Sequence, residues 1–568
     1  MAATLRKRFY TRKIESLHSA DPHSWWRKTK QFLHHKHSDP LHSLEVLNPN
    51  VSLAEAVNDF FVSVSAHLPP FDTSSVDCLN MDYTAQFTIQ PSEIEQRLAR
   101  ISLHKSPGPD GLPNWFLCDF ASIICEPLAA IFNASIREGY FPPIWKSAEV
   151  VPVPKTHPPT SIQDHLRPIS LLPTLSKVFE SIVGQWLLTV LEPSLDNCQF
   201  GCRKRRSTVH ALTAVLHTWM SSLDSGDSVR TVFVDFRKAF DLVNHNILFS
   251  KLIKQNIPHF LLRWFGSYLS GRQQRVRISQ SLSSWKELKG AMPQGSWLGP
   301  LSFLVLINDL STGCPVHKYV DDTTLTELLP KHANTEMSTF LSNLLSWANE
   351  NDMEINTTKT KEMILGPLAR SNLPFLTIPT GTIDRVTSFK LLGLHIDSSL
   401  SWANHTTIIV QKASSRLYFL KQLKRAGLAT HHLLHFYIAV IRPVLEYCAP
   451  VWHYALTKAQ TQELESIQKR AIHIIFHFTH GMPYSCMLAA TNLTSLSSRR
   501  DDLSRNFFLS ITNPTSCLHH LLPPPRSNAV TSRLRSYEIY PRPSTRTKRY
   551  CSLVQYGLSH YQNRIANS

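Results

Sequence analysis

The segment HKYVDDTTL (317–325) constrains this chain most, because two adjacent aspartates, Asp321 and Asp322, interrupt an apolar run with β-branched neighbours. Within a regular strand, neighbouring side chains point to opposite faces. At the tip of a hairpin they can converge instead, concentrating negative charge that only a cation offsets. A second strand-like run, VRTVFVDF (229–236), ends in Asp235 just before the helical-looking RKAFDLVNH. Acid-bearing strands of this kind suit nucleotidyl transfer, in which two divalent cations ~3.5–4 Å apart activate a hydroxyl and neutralise the leaving pyrophosphate. Mg²⁺ takes hard oxygen ligands, which carboxylates and phosphates supply. An isolated Asp-Asp pair is more often a surface turn. Tyr319 and Val320 before the pair, and the strand-ending Asp235 86 residues upstream, weigh against that bland reading.

The charge balance points the same way. Lys and Arg number 59 against 42 Asp and Glu, a net charge of +17 in 568 residues, which predicts a polyanionic partner and makes nucleic acid the default. With 42% hydrophobic residues the chain is globular, long enough for three or four packed units. Its ten cysteines contain no CxxC pair, so a disulfide framework is excluded and reduced thiols of an intracellular protein are expected. No stretch reaches the ~20 apolar residues that span a bilayer, so no membrane association is expected. The basic start MAATLRKRFYTRK lacks the apolar core of a secretory signal and reads as a solvated or nucleic-acid-binding arm. Three histidines, His34, His35 and His37, lack acidic or Cys partners at ligand spacing. Cys517 with His519 and His520 lacks a fourth ligand, so zinc is expected at neither place.

Along the chain, 41–90 reads as helix followed by a Pro-, Asp- and Ser-rich loop. Ser92 and Glu95 form a capping-box signal for the helix EIEQRLARI. KSPGPDGLP (105–113) breaks helix. Between 145 and 400, β-like runs (AEVVPVP, VRTVFVDF, HKYVDDTTL, FKLLGLHID) alternate with helical segments, which predicts an α+β fold rather than repeated βαβ units. From 401 to 480 the pattern is helical, with Ile409, Ala413, Leu417 and Leu420 on one face and Leu464, Ile467, Ala471 and Ile474 on another. Beyond 490 apolar periodicity fades and Pro, Arg and Ser accumulate.

These segments together resemble the reverse transcriptases of non-LTR (LINE-type, jockey-like) retrotransposons. VFVDFRKAFD resembles their motif A, AMPQGSWLGPLSF (291–303) motif B, and HKYVDD motif C. KSPGPDGLP, WKSAEVVPVPK, LRPISLLPTLSKVFE and QFGCRKRRST resemble upstream blocks. INTTKTKEM and FKLLGLHID are similar to motifs D and E, and VIRPVLEYCAPVWHYAL and LESIQKRAI to the thumb. The resemblance runs in consecutive order over roughly 90–480. Group II intron maturases and telomerases match these blocks less well. The implied fold is a right hand: a linker or N-terminal extension (1–90), fingers with the first part of an antiparallel-sheet palm (91–230), the catalytic palm (231–400), a helical thumb (401–490), and a basic Pro/Arg-rich C-terminal region (491–568).

The resemblance also implies roles. Asp235 and Asp321 become metal ligands with Asp322 as supporting carboxylate, holding two Mg²⁺ ions for which Mn²⁺ can substitute. Lys155 and Arg167 would hold the triphosphate, arginine through its bidentate fork. Phe240 would be a steric gate against a ribose 2′-hydroxyl, although by itself it reads as core packing. Gln294 and Gly295 would form the turn approached by nucleotide and template, glycine permitting close backbone approach. Lys359 would serve the leaving pyrophosphate, with Lys361 as alternative, and FKLLGLHID would place the primer end. Cys202 and Arg206 depart from the family pattern in QFGCRKRRST, and His473 departs in the thumb. The implied activity is RNA-directed DNA polymerisation from an RNA template, a DNA primer or target end and dNTPs, with a nuclear site. The alternative is an idle remnant that only binds nucleic acid. The segment before residue 90 is too short for the endonuclease such elements commonly encode, so that domain is expected to be missing.

Overall fold

The computed structural model describes residues 41–47, 52–79, 87–527, 538–543, 546–547, 550–551 and 552–562. The N-terminal arm, with Trp25, Trp26, His34, His35 and His37, lies outside them.

The strand β3 (Ser228–Val234) organises the molecule. Every residue in it is buried. Val232 and Val234 enter one hydrophobic core, while Val229 and Phe233 enter another on the opposite face. A strand covered on both sides has no need to alternate polar residues, which explains the run Val232, Phe233 and Val234. β3 pairs antiparallel with β6 (Asp322–Leu329) and with β7 (Lys361–Leu365). β5 (Val316–Tyr319) closes a hairpin with β6, and the short β8 (Asp384–Arg385) adds in parallel to β7. The sheet order is β8-β7-β3-β6-β5. A second sheet joins β1 (Ser147–Pro154), antiparallel to β2 (Leu166–Leu171) and parallel to β4 (Gln273–Ile278).

Helices clothe both faces of the central sheet. The larger core gathers α2 (Pro91–Leu98), α3 (Ala121–Glu138), α4 (Thr174–Leu191), α6 (His245–Ile253), α7 (His259–Leu269), α8 (Leu298–Ile307) and α9 (Met337–Glu350). The opposite core gathers α5 (Thr208–Asp224), α10 (Ala403–Arg425) and α11 (Lys458–Ile475). The helix α1 (Leu53–Ser63) covers the second sheet. No helix among the described residues is long and apolar enough to cross a membrane.

Several local expectations change. α2 begins at Pro91, in the first-turn position that suits proline, and Ser92 makes no cap. FKLLGLHID is two strands, Ser388–Leu391 (β9) and Leu394–Asp397 (β10), reversed at Leu392 and Gly393, both with positive φ. In α10 the expected face is buried throughout, but in α11 the stripe ends on Ile475 and Ile474 is only half-buried. Beyond 490 the chain folds: α12 (Leu496–Ile511) and α13 (Leu553–His560) pack with Phe200 and Ala214. Polar Arg500 and Ser504 occupy core-facing positions of α12, between Leu496 and Phe508, so its apolar period is hidden in the sequence.

Buried charges tie elements together. Lys318, in β5, is 1% exposed. Its Nζ donates to the carbonyls of Ile307, Asn308 and Leu310 at the C-terminal end of α8, and pairs with Asp196 at 2.8 Å. A cation suits the negative end of a helix. At the other end of α8, buried Glu180 accepts from the Trp297 and Leu298 amides. Arg230 and Arg385 share Glu362 across β3, β7 and β8. Removing one partner of a buried pair leaves the others without theirs. Lys318→Met is therefore expected to lower unfolding free energy by about 3 kcal/mol in urea titrations, whereas exposed Lys421→Met stays within about 0.5 kcal/mol.

Candidate active site

The register of β3 and β6 sets the acidic centre. Val234 pairs with Thr323, so Asp235 emerges beside the β5–β6 hairpin whose turn contains Val320 and Asp321. Val320 adopts φ +60°, a left-handed conformation that a β-branched residue takes only at a cost. Residues 198–200 bridge to Lys318 of β5 and hold this turn: Gln199 Oε1 accepts from the Val320 and Gly201 amides. A Cβ on Gly201 would meet Val320 Cγ2 at 2.5 Å. The two departures in this block fit locally. Cys202 takes a positive φ, and Arg206 donates to the Asn197 and Gln199 carbonyls.

Burial, followed by the Asp235 charge, raises the Asp321 carboxyl above the usual carboxylate range. The Asp322 carboxyl is pushed up to about 6, first by loss of hydration and then by Asp321 and Asp235. Asp322 is the first residue of β6 and also lines a small cavity with Leu212, His317 and Tyr319. Among the described residues, no three His, Cys, Asp or Glu side chains stand close enough to hold an ion unaided. Two features nevertheless fit a divalent cation completed by substrate oxygens. The carboxylates crowd like charge, and Asp235 Oδ2 is buried without a hydrogen bond. Among the described residues its one close cation is Lys359 Nζ at 3.4 Å, an ion pair without a hydrogen bond. Lys361 instead pairs with Asp384 at 2.6 Å, so of the two lysines only Lys359 reaches the acids.

Beside Lys359 lie further cations. Lys155 follows the β1 strand and donates from Nζ to the Asp164 carbonyl. Its ammonium is depressed by burial and then by repulsion from Lys359 and Arg167, which places those three cations together. Arg167 is exposed on β2, opposite Val153. Phe240 is half-buried, 5.1 Å from the Phe303 ring centroid. Gln294 donates from Nε2 to Asp241 Oδ1 at 2.9 Å, and its carbonyl accepts from the Ser170 amide. At φ +138° the Cβ position of Gly295 lies 2.6 Å from the Ser170 carbonyl, so β2 demands glycine there.

The sequence reading missed Lys238 and Asp241. Lys238 stands 4.1 Å over the Phe60 ring and is depressed by burial, with Asp241 opposing. The Asp241 carboxyl is raised by burial, against Gln294, Lys238 and Lys155. Nothing in KAFDLV marks either residue, because both sit on a turn whose partners are distant in sequence.

Comparison with known proteins follows this geometry. Residues 153–396 match the family described as reverse transcriptase (RNA-dependent DNA polymerase). A short match over 402–442, to the N-terminal model of alkylated DNA repair protein alkB homolog 8, covers α10 and the helical segment Thr430–Ile441 after it. Among relatives, the probable RNA-directed DNA polymerase from transposon BS of Drosophila melanogaster is 26% identical over 83% of this chain and 55% of its own length. The RNA-directed DNA polymerase from mobile element jockey of the same fly is 28% identical over 67% of this chain and 43% of its own length. The 115 kDa protein of the type-1 retrotransposable element R1DM is 29% identical over 66% and 37%. The chain thus spans about half, or less, of the relatives it matches. An apo telomerase structure from Candida tropicalis aligns at TM-score 0.32 and 13% identity, covering 49% of this chain and 60% of that one.

The raised carboxyls set a pH dependence. A carboxyl whose folded value lies above its unfolded value destabilises the folded state as pH rises through that interval. For Asp322 the interval runs from 3.8 to about 6. In divalent-free buffer the protein is expected to lose stability across it in urea titrations. Asp322→Asn should flatten that fall and melt higher than the parent at pH 7.

Proposed function

We propose, for a chain carrying a reverse transcriptase domain of the non-LTR retrotransposon kind, that it extends a DNA 3′-end on an RNA template using dNTPs. The observation that carries this reading is the approach of Asp235, at the end of β3, to the β5–β6 turn that carries Asp321, with Lys359 Nζ 3.4 Å from Asp235. Under it, 91–230 serves as fingers and first part of the palm, 231–400 as catalytic palm and 401–490 as thumb. Extension of a genomic DNA end would take place in the nucleus.

Asp235 and Asp321 are the ligands we assign to two Mg²⁺ ions, replaceable by Mn²⁺, with Asp322 in support. When bound, such ions lower the cost of deprotonating the primer hydroxyl and offset charge on the departing pyrophosphate. The protein's own groups do the rest. Lys155 and Arg167 lie where a triphosphate approaching the acids gains two cations, and preorganised charge of this kind favours a transition state with dispersed negative charge. Lys359, freed from Asp235 when a cation takes its place, can donate from Nζ to the leaving group. Phe240, fixed against Phe303, would leave no room for a 2′-hydroxyl.

The full chain, given Mg²⁺, dNTPs and a primed RNA template, is expected to extend the primer. Asp321→Ala should reduce the rate by about a thousandfold or more while RNA retention in gel-shift assays is kept. Extension that survives this change contradicts the site, and RNA binding by the parent without any incorporation contradicts the activity. Phe240→Val is expected to raise ribonucleotide incorporation relative to dNTP by about tenfold or more, read as single-nucleotide addition.

A further inference from the structure

Two-residue hairpin turns are demanding, and the one that carries Asp321 is built from residues ill suited to it. Tyr319 pairs with Asp322, so Val320 and Asp321 alone make the reversal between β5 and β6. A positive φ falls on Val320, the first central residue, where a turn with this conformation ordinarily takes glycine. A β-branched residue keeps such a conformation only where its surroundings over-determine it. The strand ladder also leaves the amide of this central residue without a partner, and a buried amide needs one.

The partner comes from outside the hairpin. Gln199 is 2% exposed, and its Oε1 accepts from the Val320 amide at 3.0 Å and from the Gly201 amide at 2.9 Å. Two N–H donors require an oxygen, which fixes the orientation of the side-chain amide. Its Nε2 is buried without a hydrogen bond, so the side chain acts through its oxygen and the donor goes unused. The Gln199 backbone is anchored away from the turn: its amide donates to the Asp196 carbonyl, and its carbonyl accepts from Arg206. On either side of it, Cys198 and Phe200 are hydrogen-bonded to Lys318. A firmly held block therefore presents one acceptor to the strained residue just before Asp321.

We infer that Gln199 is a positioning residue: by accepting from the Val320 amide it holds the strained turn in the conformation that aims the Asp321 carboxylate at a cation shared with Asp235. This rests on the metal-site reading above and goes beyond it, because Gln199 becomes dispensable once the strain is removed. Glycine takes a positive φ at no steric cost. Val320→Gly lets the turn form unaided, whereas Gln199→Met keeps the length of the side chain, withdraws the oxygen and loosens the turn.

Two readouts on the full chain test this. Without divalent ion, deuterium exchange at the Val320 amide, followed by mass spectrometry of the β5–β6 hairpin, is expected to quicken about tenfold in Gln199→Met. It should stay slow in Gln199→Glu, which keeps the acceptor. With primed RNA template and a non-hydrolysable dNTP analogue, Mn²⁺ titrated by electron paramagnetic resonance should bind Gln199→Met about tenfold more weakly than the parent, the scale of one hydrogen bond. In a Val320→Gly background the same change should weaken Mn²⁺ by less than about threefold. Thermal melting checks folding, and Gln199→Asn, whose oxygen falls one methylene short, replaces Gln199→Met wherever the latter does not fold. Equal weakening in both backgrounds overturns the action through Val320. Unchanged exchange in Gln199→Met, or quicker exchange with unchanged Mn²⁺ affinity, overturns the positioning role while the metal-site reading stands. A parent that binds no Mn²⁺ contradicts the metal-site reading, and the inference falls with it.

Discussion

The antiparallel pairing of β3 with β6 is the constraint on which the rest depends. It runs over seven residue pairs, from Ser228 opposite Leu329 to Val234 opposite Thr323, and it delivers Asp235 to the hairpin that carries Asp321. A slip of one residue would turn every side chain of β3 to the opposite face. Val229 and Phe233 would then leave one core and Val232 and Val234 the other, so burial on both faces pins the register. The site inherits its geometry from this hydrophobic requirement. Its acids sit just where the regular strand ends and the apolar packing ceases to dictate side-chain type.

Several charges inside the protein are handled by pairing. Lys318, Glu180, Arg230 and Glu362 are all buried, and each meets several oppositely charged or hydrogen-bonding partners. Lys318 has a further consequence, since it ties the C-terminal end of α8 to the strand that leads into the Asp321 turn. The loop entering α8 carries Gln294, so the two halves of the site are linked at both ends of one helix. The acidic centre is different. Burial and then Asp235 raise Asp321, burial and then Asp321 and Asp235 raise Asp322, and Asp235 Oδ2 makes a 3.4 Å contact with Lys359. Uncompensated charge of this kind is costly for stability and useful for binding a cation.

Much of this was legible in the residues, for definite reasons. β3 and the β5–β6 hairpin announce themselves through β-branched and aromatic residues next to the acids. The faces of α10 were readable because apolar residues recur at helical spacing. α12 was not, because Arg500 and Ser504 take core positions. The reversal inside FKLLGLHID was hidden because Leu392 adopts a left-handed conformation that leucine does not advertise. At the site, the grouping of Lys155, Arg167 and Lys359 followed from family resemblance, and only coordinates separate Lys359 from Lys361. Asp241 and Lys238 left no trace, since their meaning lies in Gln294 and Phe60, remote in sequence. The close approach of Ser170 to Gly295 was likewise not legible in the sequence.

The central claim is that Asp235 and Asp321 together hold divalent cation at the point of chemistry. Mn²⁺ binding to the full chain, followed by electron paramagnetic resonance in the presence of primed RNA template and a non-hydrolysable dNTP analogue, addresses it directly. Bound Mn²⁺ that is lost in both Asp235→Asn and Asp321→Asn, and kept in Asp384→Asn, is the result the account predicts. Mn²⁺ bound equally by the parent and by both site variants would contradict it.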